Sequence, residues 1–211
     1  MVYQVRELVR EIKIAIDENK ESDQLILDED IETLSMDELA ETKIEEAARR
    51  VLTAAPLHQL DGGEWIEEAV YWRDKGAGWL KLPDDFMRLL IFKMSDWERP
   101  VYEPITAADP QYQLQSSRYR GLRGSPQKPV VAIVSRAAGL VLELYSCKDD
   151  TAEVEQALYL PLPKIDRHGG INIPERCQRA VVYEAASLVL ATIGQLELSA
   201  LLSTKSKELL V

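Results

Sequence analysis

Asp84 and Asp85 are the residues whose types and spacing most directly invite catalysis. Adjacent carboxylates share a proton in acid–base chemistry or ligate a divalent metal. They lie in Leu82-Pro83-Asp84-Asp85-Phe86, between two apolar stretches, with no histidine or third acid close to them in sequence. Proline fixes φ, aspartate accepts backbone N–H bonds and phenylalanine anchors the turn. Pro83, Asp84, Asp85 and Phe86 therefore read as a structural turn between strands, with a metal-dependent hydrolase as the competing reading.

The other reactive side chains point to no catalytic centre. His58 and His168 are the only histidines, and each reads as sitting in a glycine-containing loop. A histidine-rich metal centre is excluded by number. A Ser–His–acid triad is not excluded by composition, but no G-x-S-x-G elbow occurs. There is no Walker loop and no G-x-G-x-x-G. Cys147 and Cys177 form no CxxC pair, which argues against zinc and thioredoxin chemistry. The expectation is a non-enzymatic protein without catalytic, cofactor-binding or metal-binding residues.

The basic loop is the strongest local anomaly. Residues 113–136 hold five bases, Arg118, Arg120, Arg123, Lys128 and Arg136, and no acid. With Tyr119 and two glycines, this composition suits phosphate contact and base stacking. Arg118, Tyr119, Arg120, Arg123 and Lys128 are the candidate residues for contact with DNA or with a neighbouring subunit. A solvated loop is the plainer alternative. Trp65, Trp72, Trp79 and Trp97 fall within 33 residues, a pattern that reads as core or interface more readily than as a ligand platform.

The surrounding elements follow from periodicity. Val5, Leu8, Val9, Ile12 and Ile16 predict an amphipathic helix over 2–19. In the acidic stretch 20–34, Leu25, Ile26, Leu27 and Ile31 are placed to dock locally. Ser35 and Glu38 form a capping box ahead of a helix over 36–54, which Pro56 stops. Residues 79–82 and 89–93 read as strands. Three more strands, over 129–135, 140–145 and 152–162, predict an antiparallel meander. In the second of these, Leu140, Leu142 and Leu144 alternate against Glu143. A wide apolar stripe over 174–193 predicts a central helix, and Leu198, Leu201, Leu202 and Leu209 a last one over 196–210. The fold class is α+β: a helical bundle from both chain ends, residues 1–60 and 172–211, with an inserted antiparallel β-rich subdomain over 61–171.

With 211 residues, 46% of them hydrophobic, the chain can bury a substantial core. Its net charge of −11 is unevenly spread: residues 1–70 carry −12 and residues 71–211 carry +1. The acidic third is ill suited to lie on nucleic acid. The plainer reading is a solvated acidic helical face; the sharper one is that acidic and near-neutral parts of neighbouring copies attract one another. Residues 1–19 lack the apolar core of a signal peptide, and no run of about 18 apolar residues occurs, so the expectation is cytoplasmic synthesis and no membrane partner.

The order of these features resembles the head-to-tail connector, or adaptor, ring proteins of tailed bacteriophages, closest to the tail-tubular-protein-A-like group of short-tailed phages. The resemblance rests on the helical start, Leu82-Pro83-Asp84-Asp85-Phe86-Met87-Arg88-Leu89, Trp97-x-x-Pro100-Val101, the polar loop leading to Gly124-Ser125-Pro126-x-x-Pro129-Val130, and the closing Ala- and Leu-rich helices. It covers roughly residues 36–205. It implies a virion structural protein whose copies form a ring between the capsid portal and the tail. The partners would be itself, portal and tail proteins, and transiently genomic DNA. It implies no cofactor and no catalytic residue. The alternative from the residues themselves is a nucleic-acid-binding module using the basic loop 118–128.

Overall fold

A computed structural model describes residues 1–19, 35–65, 69–74, 76–117 and 119–211. The chain begins with β1 (Val2–Gln4), α1 (Val5–Asp17) and α2 (Met36–Ala54). Then follow β2 (Gly63–Glu64), β3 (Tyr71–Asp74), β4 (Ala77–Lys81), β5 (Phe86–Met94), β6 (Ile105–Thr106) and the short α3 (Pro110–Leu114). Strands β7 (Val131–Arg136), β8 (Gly139–Leu144), β9 (Val154–Pro161) and β10 (Gly170–Asn172) precede α4 (Glu175–Thr192) and α5 (Leu196–Glu208). The fold is α+β, with N- and C-terminal helices packed together and central sheets inserted between them. The docking expected of Leu25, Ile26, Leu27 and Ile31 lies outside the described residues.

Two compact units result, Met1–Asp61 with Pro163–Val211, and Gly62–Leu162. In the first, α4 packs against α1, α2 and α5. Helix α2 starts where its capping box requires: Ser35 Oγ accepts from Glu38 N, and the Glu38 carboxylate accepts from Ser35 N at 2.9 Å. It buries Leu39, Ile44, Ala47, Ala48, Val51 and Leu52, the residues its period picks out. The first three residues of the expected N-terminal helix instead form β1, which pairs with β10, and the Met1 ammonium donates to Ile173 O at 3.0 Å.

Helix α5 differs from expectation in the face it buries. Leu201 and Leu209 are exposed, while Ser199, Leu202 and Ser206 face inward. The serines close hydrogen bonds onto α4: Ser199 Oγ donates to Ser187 O at 2.9 Å, Ser187 Oγ to Ser199 O at 2.8 Å and Ser206 Oγ to Ala180 O at 2.8 Å. Small side chains let the two helix backbones approach, and the hydroxyls satisfy one another once buried.

The second unit stacks two sheets, a three-stranded sheet ordered β2-β9-β5 and a five-stranded sheet ordered β3-β4-β8-β7-β6. Their shared core holds Trp65, Leu80, Leu89, Phe92, Trp97, Val131, Leu142 and Leu144. The expected meander is only partly realised. Strands β7 and β8 pair as antiparallel neighbours, but the other edge of β8 is taken by β4. Strand β9 therefore pairs with β5 in the other sheet. One pair, β6 with β7, is parallel.

Candidate functional site

Strand alternation decides which residues reach the face of the five-stranded sheet turned away from the shared core. Residues opposite one another across the ladder are Tyr71 and Trp79, Trp79 and Glu143, and Glu143 and Ala132. Arg73 stands two residues from Tyr71, and Arg136 lies four residues along from Ala132. The result is a polar centre on an otherwise apolar surface, where Ala132, Val134 and Val141 pack under Trp79, Tyr112 and Tyr145.

Glu143 is that centre, and only 2% of it is exposed. Its Oε1 accepts from Arg136 Nε at 3.0 Å and Nη2 at 2.5 Å, and pairs with Arg73 Nη1 at 3.3 Å. Its Oε2 accepts from Tyr112 Oη at 3.0 Å and from Tyr145 Oη. Tyr112, carried by α3, also accepts from Arg136 Nη2 at 3.1 Å. Burial works to raise the Glu143 carboxyl, but the hydrogen bonds from Tyr145, Arg136 and Tyr112 and the Arg136 charge outweigh it and hold the group below its ordinary value. Burial and the adjacent carboxylate push the Tyr145 phenol well up. An ionised carboxylate with both oxygens occupied is a fixed counter-charge rather than a proton carrier.

In the sequence Glu143 is the residue against which Leu140, Leu142 and Leu144 alternate. It does lie opposite Leu142 and Leu144, but Tyr112 from α3, Tyr145, Arg136 and Arg73 close over it, so the residue is buried and paired. Nothing local in Gly139–Leu144 signals the cover; the lone charge in an apolar strand was the available hint.

Beside this cluster opens a cavity of about 1170 Å³. Among the described residues, Arg73, Arg123, Arg136 and Lys148 line it, facing Glu143 as the one carboxylate. The loop that brings Arg123 is anchored by buried side chains. Gln115, 6% exposed, accepts from Gly124 N at 2.9 Å through Oε1 and donates to Gln111 O. Ser146, 1% exposed, accepts from Val130 N at 2.8 Å. A side chain at Gly124 would place its Cβ 2.2 Å from Ser146 Oγ, so the close approach needs glycine.

The basic-loop side chains that are described do not share one place. Arg123 lines the cavity. Lys128 is exposed and closes a tight turn with Ser125, their backbones exchanging two hydrogen bonds. Tyr119 is 75% exposed, and Arg120 opens a 3-10 turn over Arg120–Leu122. Arg118 lies outside the described residues. Sequence reasoning did not bring together Arg73, Tyr112, Glu143, Tyr145 and Lys148, which come from three separate stretches of chain.

Asp84 and Asp85 lie between β4 and β5, where Phe86 N donates to Pro83 O at 3.0 Å. Their carboxylates bond side chains, not the backbone of the turn: Lys81 reaches Asp84 at 3.1 Å and Tyr159 Oη donates to Asp85 at 3.1 Å. Among the described residues, no three of His, Cys, Asp or Glu gather to hold a metal. His168 N and Gly170 N instead both donate to Asp166, ordering the loop before β10. Burial, and then the Asp96 charge, push the Cys147 thiol up to about 12, and burial raises that of Cys177. Among the described residues, no helix is long and apolar enough to cross a membrane. No protein-family model matches the sequence, and no curated protein matches it.

Proposed function

We propose that this chain is a non-enzymatic virion structural protein, a ring-forming connector between the capsid portal and the tail of a tailed bacteriophage. The observation that carries this reading is architectural: both chain ends build one helical unit, and the β-rich unit Gly62–Leu162 is an insertion between them. That is the layout implied by the resemblance of the Pro83–Leu89, Trp97–Val101 and Gly124–Val130 stretches. The uneven charge supports it. Copies arranged head to tail in a closed ring present different surfaces to each other, and an acidic third meeting a near-neutral remainder favours such a heterologous contact.

Catalytic residues and cofactors have no place in this reading. The chain would be made in the host cytoplasm and end in the virion. Its partners would be further copies of itself, the portal and tail proteins, with Arg118, Arg120 and Arg123 touching passing DNA or the adjoining ring. Size-exclusion chromatography with light scattering, on the protein alone and mixed with a phage portal protein, tests the reading. It expects an oligomer in at least one of the two conditions.

A further inference from the structure

We infer that the cavity lined by Arg73, Arg123, Arg136 and Lys148 is a phosphate-binding site, taking either a nucleic-acid backbone or a free phosphate ester. The inference rests on the cavity and not on ring assembly, so either can fail while the other stands.

Charge is the first argument. Among the described residues, four cationic side chains line the cavity against one carboxylate. Glu143 has both oxygens engaged, so it compensates Arg136 and Arg73 and leaves a surplus. Arg73 gives Glu143 only Nη1, and its side chain is 49% exposed, so donors of its guanidinium fork remain accessible. Arg123 and Lys148 have no carboxylate partner among the described residues. Guanidinium groups present planar donor pairs that match phosphate oxygens, and lysine adds a point charge.

Pre-organisation is the second. Gln115 and Ser146 are buried and line the cavity; Gln115 holds the backbone N–H of Gly124, and Ser146 that of Val130. The segment carrying Arg123 is therefore held in place before a ligand arrives, which lowers the ordering cost of binding. Tyr112 and Glu143 likewise set the orientation of Arg136.

Size and surroundings decide the class of anion. A cavity of about 1170 Å³ has room for far more than one inorganic ion. On the same sheet face, two residues from Arg73, Tyr71 stacks on Trp79 with ring centroids 4.4 Å apart and remains 53% exposed. The two rings lie outside the cavity lining, so a ligand extending from the cavity along that face would stack its base there while its phosphate meets the guanidinium groups. An acidic peptide would use the charges and leave the platform idle.

The test titrates the full chain at low salt with pyrophosphate, by calorimetry, and with a labelled oligothymidylate of about a dozen nucleotides, by fluorescence anisotropy. Polyglutamate is the competitor. The Arg123→Ala/Lys148→Ala variant should weaken binding about tenfold or more, and Lys207→Ala, on helix α5, should leave it unchanged. Lys148→Glu alters one exposed side chain and serves if the double variant does not fold. Oligonucleotide binding that weakens steeply with salt and is lost in the variant identifies a nucleic-acid backbone. Pyrophosphate binding without oligonucleotide binding identifies a free phosphate ester. Binding of neither, binding untouched by the cavity variants, or equal affinity for polyglutamate overturns the inference.

Discussion

At the scale of single residues, Glu143 does most to define the β unit's polar face. Replacing it with glutamine removes the charge that Arg73 and Arg136 share. Breaking a fully buried ion pair costs about 3–5 kcal/mol. Both arginine side chains here are more than two-fifths exposed, so screening reduces the expected loss to about 2 kcal/mol. Urea unfolding of Glu143→Gln measures it. The carboxyl sits below its ordinary value in the folded state, so its stabilisation is complete above the unfolded value and disappears as pH falls through the folded one. Wild-type stability should therefore drop more steeply than that of Glu143→Gln below about pH 4.

The two thiols offer a second residue-scale test. Cys177 is fully buried, and the Cys147 thiol is raised to about 12. Both should react slowly with a thiolate-selective reagent at neutral pH in the native protein, and rapidly in urea. Fast labelling of the native protein would contradict that placement. Sequence showed the residue types of this site but not their meeting. Arg73, Tyr112, Arg136 and Glu143 come from different elements, and only strand register and the reach of Tyr112 from α3 bring them together.

At the scale of elements, what the sequence made legible was local. The capping box at Ser35 and Glu38, the apolar period of α2 and the wide stripe of α4 each depend on residues within a few positions. Ser35→Ala should cost about 1 kcal/mol in a denaturant titration, since it exposes backbone donors of the first turn. Gly124→Ala should cost more, because its Cβ collides with Ser146 Oγ and disturbs the bond to Val130 N. It should also weaken any ligand that needs Arg123 in place. Strand pairing was not legible, because pairing is a competition: β4 occupies the edge of β8 that a meander would have given to β9. The buried face of α5 was misread because leucines signal burial by hydrophobicity. Here Ser199 and Ser206 of α5 reach the interior, each donating to a carbonyl of α4, and Ser187 of α4 donates back to Ser199 O.

At the scale of the whole molecule, the α+β class and the insertion of a β-rich unit between helical ends were readable from the order of periodicities alone. Helical signals at both ends, with alternating apolar strands between, leave few other assemblies. Assembly into a ring is the central claim of the account, and mass in solution tests it most directly. With a protomer of 23.9 kDa, light scattering across a concentration series, alone and with a phage portal protein, should give an integral multiple of that mass, and negative-stain images should show particles with a central hole. A protein that stays at 23.9 kDa at every concentration and in the presence of the portal would contradict it.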